Sequence, residues 1–119
     1  MADDRMTVAK LRAAMAQFVA ERDWDKFHSP KNLSMGLAVE AAELMEHFLW
    51  IDNAESRTVC QDPVCLQEVA DEMADIGCYL LALANTLQVD LSESIANKLV
   101  KNAKKYPVER YRGRFKSED

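Results

Sequence analysis

The stretch that decides the fold runs from Gly36 to Tyr79, and it carries two acidic signatures. The first is Glu40-Ala41-Ala42-Glu43 and the second is Glu72-Met73-Ala74-Asp75. Each pair of carboxylates is spaced i,i+3 inside an apolar segment with helical periodicity. A helix advances about 100° per residue. Leu33, Leu37, Leu44 and Phe48 then form one apolar stripe, with Glu40 within about 60° of its centre and Glu43 roughly 60° further round. Leu66, Val69, Met73, Ile76 and Leu80 form a second stripe, and Glu72 and Asp75 flank it on the same rotational side. Two antiparallel helices so marked would bring four acids together, the alternative being solvated boundary positions that share this spacing by chance. Uncompensated, the gathered acids would repel and take up protons. A hard divalent cation is the simplest compensation, and an all-oxygen donor set suits Mg²⁺ or Mn²⁺.

Outward from this stretch, the chain reads as helices throughout. Its 119 residues suit a single domain spanning 1–119, with a helical core over about 7–106 and a charged tail over 108–119. Only three glycines and three prolines punctuate it, too few for an all-β fold. Thr7 is placed to cap a first helix over 7–22. Residues 23–30 break the pattern, with Pro30 as the obstacle to continuation, and Trp24 and Phe27 set two aromatics in this polar connection. A second helix is expected from Asn32, capped by Asn32 or Ser34, to about Ile51. A loop follows over 52–62. A third helix starts at Pro63 behind Asp62 and runs to about Leu87. A fourth starts behind Asp90, with Glu93 three residues on, and stops near Tyr106 because Pro107 follows. The expected class is all-α, a four-helix bundle.

Composition excludes several functions. No apolar run reaches the roughly 18 residues a membrane helix needs, and the acidic start lacks a signal-peptide core. Cys60, Cys65 and Cys78 lack CxxC spacing and read as free thiols of a cytoplasmic protein, with a Cys60–Cys65 bridge as the alternative. The net charge of −5 argues against polymeric nucleic acid as partner. Eight Lys or Arg against the single acid Glu109 do concentrate between Lys98 and Lys116. Lys98, Lys101, Asn102 and Lys105 share a face of the fourth helix, suited to phosphate or sugar or to the helix C-terminus itself. No nucleophile–histidine set, phosphate loop or Glu-x-x-His di-iron pair is present. His47 follows Glu43 by four residues and reads as a surface or boundary histidine. Trp50 and Tyr79 fall on the acidic side of their helices, where an aromatic can stack on a base or serve as core or interface.

These residues resemble the MazG-like nucleoside triphosphate pyrophosphohydrolases, and within them the dCTP pyrophosphatase branch. The likeness covers about Leu11 to Tyr106. It rests on Arg22-Asp23-Trp24-Asp25-Lys26-Phe27-His28, Pro30-Lys31-Asn32-Leu33, Glu40-Ala41-Ala42-Glu43-Leu44, Phe48-Leu49-Trp50, Asp71-Glu72-Met73-Ala74-Asp75-Ile76 and Tyr106-Pro107. The resemblance implies that Glu40, Glu43, Glu72 and Asp75 hold Mg²⁺ and carry catalysis. It implies that Trp24, Trp50 and Tyr79 line a nucleotide pocket and that Lys98 and Asn102 meet phosphate or sugar. It also implies a homotetramer built as a dimer of dimers. The expected reaction is hydrolysis of dCTP or a 5-modified dCTP to the monophosphate and pyrophosphate, in nucleotide-pool sanitation. A dUTP-preferring or broad-specificity enzyme is the alternative, and a non-catalytic helical interaction module is one of another class. Met15 stands where close relatives carry a nucleotide-binding histidine, and His47 where an aliphatic residue is usual.

Overall fold

The computed structural model describes residues 1–116, and every regular element among them is helical. In chain order these are α1 (Val8–Glu21), α2 (Pro30–Glu46), α3 (Asn53–Ser56), α4 (Pro63–Leu87), α5 (Leu91–Lys105) and α6 (Val108–Tyr111). Single 3-10 turns occupy Ala2–Asp4, Asp25–Phe27 and Val59–Gln61. The four long helices match the four expected. The last three residues of the expected charged tail lie outside the described residues. No helix among the described residues is long and apolar enough to cross a membrane.

Each long helix starts on a side-chain cap. Thr7 accepts from the Lys10 N–H, Asp62 from the Val64 and Cys65 N–H groups, and Asp90 from the Glu93 N–H. The second start differs from expectation. Ser29, not Asn32 or Ser34, caps α2 by accepting from the Asn32 N–H, and Pro30 is its first residue. Proline has no N–H, but the first turn of a helix leaves that group unpaired anyway, so Pro30 opens the helix. The far end differs too. α2 stops at Glu46, and residues 47–50 form a turn rather than a further helical turn. The expected loop over 52–62 holds α3, capped by Asp52, and a 3-10 turn.

Contacts divide the chain into two compact units, Met1–Gln88 and the segment from Val89 on. In the first unit α4 is central. α2 packs along it most extensively, and α1 is clasped to its C-terminal half. There the Arg12 guanidinium donates to Asn85 Oδ1 and the Ala84 carbonyl, and Asn85 Nδ2 donates back to the Arg12 carbonyl. The core is small: Val19 of α1, Leu33 of α2, and Val69, Ala82 and Ala84 of α4. Leu33 is the most enclosed, at 1% exposure. Three members of the stripe read as inward on α4 are not buried: Leu66, Met73 and Leu80 are exposed. The hydrophobic pattern records which positions avoid water, and these three are only partly covered within the described residues.

The second unit consists of α5 and α6. Pro107 separates them, and Tyr106 meets Tyr111 edge-to-face at 5.1 Å. The tail thus carries a short helix where only charge was legible.

Candidate metal centre

α2 and α4 run antiparallel with a fixed register. Gly36 faces Tyr79, and Glu43 and Glu72 come together with Glu40. Asp75 acts electrostatically on Glu40. The pairs 36/79, 40/75 and 43/72 each sum to the same number, as residues facing across antiparallel helices must. The i,i+3 spacing on each helix therefore stacks the carboxylates in successive layers of one interface.

Glu40, Glu43 and Glu72 each place one carboxylate oxygen within 4.8 Å of the others. Glu40 and Glu72 are half-buried, while Glu43 and Asp75 are exposed. Glu40 Oε2 and Glu72 Oε2 are buried with no hydrogen-bond partner. Orphaned carboxylate oxygens are costly, because each has lost water and gained nothing. The Glu40 carboxyl responds by holding its proton: its pKa is pushed up from 4.5 to about 7. Burial is the largest cause, followed by the carboxylates of Glu43, Glu72 and Asp75. No lysine or arginine forms an ion pair with these four acids among the described residues; only His47 approaches, its Nε2 lying 3.9 Å from Glu72 Oε1. An all-oxygen set with orphaned acceptors and a proton standing in for positive charge fits a hard divalent cation.

A cavity of about 280 Å³ opens beside this cluster. Glu40 and Asp75 form its acidic wall, Trp24, Phe18, Tyr79 and His28 its aromatic wall, and Met15 and Cys78 complete it. The turn after α1 delivers Trp24 and His28. Asp23 takes a left-handed conformation with φ 52°, and the Trp24 N–H returns to the Val19 carbonyl. Trp24 then packs edge-to-face on Phe18 at 5.7 Å, and Asn32 Nδ2 ties the Phe27 carbonyl to the start of α2. The connection is thus both packed and cavity-facing.

Of the expected site residues, the structure gathers Glu40, Glu43, Glu72, Asp75, Trp24 and Tyr79 in the first unit. It does not continue α2 to Trp50, so the helical rotation that put Trp50 beside the acids does not apply; Trp50 sits in the following turn, 90% exposed. Lys98 and Asn102 lie on α5 in the second unit, one turn apart, Lys98 exposed and Asn102 half-buried. Sequence reasoning passed over His28 and Cys78 as lining residues. The signal was there: Cys78 follows Asp75 by three residues and His28 follows Trp24 by four. Both His28 and Trp24 lie around a 3-10 turn, however, which helical arithmetic does not cover. All three cysteines are free thiols. Burial and the nearby Asp75 push the Cys78 thiol upward in pKa, keeping it protonated.

Among the described residues the protein is all-helical, with a cluster of carboxylates gathered between two antiparallel helices. The chain belongs to the MazG-like family, whose model matches residues 36–117. It is 38% identical to a rat dCTP pyrophosphatase 1 over 107 residues, which cover 90% of this chain and 63% of that protein. It is 36% identical to the human dCTP pyrophosphatase 1 over 102 residues, covering 86% of this chain and 60% of that one. The chain therefore spans a little under two thirds of the length of these curated relatives. Among solved structures, a pyrophosphatase from Archaeoglobus fulgidus DSM 4304 superposes with a TM-score of 0.75 at 34% identity, over 83% of this chain and 91% of that one.

Proposed function

We propose that this protein is a nucleoside triphosphate pyrophosphohydrolase that uses Mg²⁺, or Mn²⁺ in its place, to hydrolyse a deoxynucleoside triphosphate. The observation that carries the reading is the convergence of Glu40, Glu43 and Glu72 oxygens within 4.8 Å, two of the carboxylates bearing buried orphan oxygens. An aromatic-lined cavity beside them supports a nucleotide in particular, and the pyrophosphatase relatives support the reaction type.

Glu40, Glu43, Glu72 and Asp75 would hold the cation. When bound, it would neutralise phosphate charge and acidify a water. Trp24 and Tyr79 offer faces on which a base stacks, leaving the triphosphate to turn toward the acids. A water oxygen forms a bond to the α-phosphorus, the α–β bridging P–O bond breaks, and pyrophosphate leaves with that bridging oxygen. A carboxylate of the cluster takes the water proton. Lys98 and Asn102 of α5 would add donors to phosphate or sugar. The dCTP pyrophosphatase relatives favour dCTP or a 5-modified dCTP as substrate, with removal of unwanted triphosphates as the role. The site of action would be the cytoplasm.

The functional unit would be a homo-oligomer, a tetramer built from dimers. Along α4, Leu66, Met73, Leu80 and Leu87 recur every seven residues and are exposed, a seam of heptad spacing. A second copy laid on this seam would bury apolar area at about 25 cal/mol per Å².

One experiment tests the reading: a panel of deoxynucleoside triphosphates with Mg²⁺, scored for pyrophosphate against orthophosphate. Pyrophosphate with dCTP or its 5-substituted forms supports it. Turnover of dUTP, or of all bases alike, would shift the specificity, and no pyrophosphate from any of them would refute the activity.

A further inference from the structure

We infer that Gly36 sets how far the Tyr79 ring withdraws from the cavity, and so how large a base edge the cavity accepts; this rests on the nucleotide reading above. A Cβ built on Gly36 would clash with the edge of the Tyr79 ring, 2.7 Å from Cζ and 3.0 Å from Cδ1, with Cε1 nearer still. These separations are well inside the roughly 3.5–4.0 Å optimum for carbon atoms. No side chain at position 36 can coexist with the ring where it lies.

Glycine in mid-helix costs about 1 kcal/mol against alanine. What α2 gains at this position is a bare backbone against which the phenol rests. The same ring borders the cavity with Trp24, Glu40, Asp75 and Cys78. Tyr79 therefore has helix backbone on one side and open cavity on the other. A methyl at position 36 drives the ring off α2 and into that open space. The contact is with the far end of a side chain, so the ring moves and the two backbones keep their spacing. Gly36 is thus a positioning residue that acts through Tyr79. Gly77 provides the contrast, since a Cβ there meets nothing within 4 Å.

The test compares Gly36→Ala with wild type in the full chain. The protein holds three tyrosines, so 3-fluorotyrosine labelling gives a spectrum in which Tyr79 is assigned by Tyr79→Phe. The Tyr79 resonance shifts in Gly36→Ala relative to wild type. Calorimetry with the non-hydrolysable α,β-imido analogues of dCTP and of a 5-substituted dCTP, in Mg²⁺, gives the second readout. In Gly36→Ala the 5-substituted analogue weakens roughly tenfold more than the unsubstituted one, while Mn²⁺ affinity stays at the wild-type value. The double variant Gly36→Ala/Tyr79→Ala removes the clash and returns the ratio of the two affinities toward wild type. It also keeps the test open should the single variant fail to fold. An unmoved fluorine resonance, equal losses for both analogues, or a double variant as selective as the single would overturn the inference. A wild-type protein that binds neither analogue would instead bring down the nucleotide reading, while the fluorine shift still decides whether Gly36 places the ring.

Discussion

His47 Nε2 stands 3.9 Å from Glu72 Oε1, and the other oxygen of Glu72 is buried without a hydrogen-bond partner. Glu72 thus sits between Glu43 and His47, which are one turn apart at the C-terminal end of α2. At this distance the imidazole acts on the carboxylate through charge or a bridging water rather than a direct hydrogen bond. Replacing it in His47→Leu lowers Mn²⁺ affinity about tenfold, the size expected when a ligand loses its outer partner. Titration calorimetry reads this directly, and wild-type affinity in the variant would make His47 a bystander.

The raised Glu40 carboxyl makes stability depend on pH. Its pKa is 4.5 when unperturbed and about 7 in the fold. Between these values the folded chain keeps a proton that the unfolded chain has lost. The stabilisation is complete below the unfolded value and is lost as pH rises through the folded one. Metal-free wild-type protein therefore loses more thermal stability between pH 5 and pH 8 than Glu40→Gln does. Parallel melting curves for the two proteins across that range would contradict the coupling.

Glu43→Gln and Asp75→Asn each remove one negative charge from the cluster while keeping side-chain shape. Pyrophosphate release falls at least about 100-fold, because a donor to the cation is lost. The helical circular dichroism is retained. Melting temperature in the absence of metal holds or rises, since like-charge repulsion is relieved. Full turnover in both variants would remove the four acids from catalysis.

Leu80→Glu places a charge in the exposed heptad seam of α4. Light scattering after size exclusion shows a smaller particle than wild type, because a buried unpaired charge is costly in an interface. An unchanged mass would place the contact between copies elsewhere.

Asp62→Ala removes the acceptor for the Val64 and Cys65 N–H groups at the start of α4. Loss of such a cap costs about 1 kcal/mol. Urea denaturation measures it, with Mn²⁺ affinity unaffected because the cap lies more than two turns before Glu72.

The helix starts at Thr7, Asp62 and Asp90 were legible because each cap satisfies a backbone donor nothing else can reach. Ser29 was missed because Pro30 was read as a block, when its missing N–H makes it a favoured first residue. The end of α2 was not legible. Phe48 continues the apolar spacing past Glu46, and no glycine or proline marks the stop. Trp50 inherited that error, since its predicted direction assumed a helix that had already ended. The acidic pairs were legible for a different reason: their positions within continuous helices fix their direction by rotation alone. Whether Leu66, Met73 and Leu80 are covered by this chain or another is not written in periodicity at all, since the same spacing serves a core and an interface.

The constant sum across α2 and α4 has a consequence for length. Adding or deleting one residue between Gly36 and Glu43 turns everything beyond it by about 100°. It would break every facing pair past that point at once, whatever the residue. The connection over 47–62 carries no such phase. Chain length is free to drift there and frozen in the two helices, so insertions selected from a random library should collect between His47 and Asp62 and be absent from the eight residues from Gly36 to Glu43.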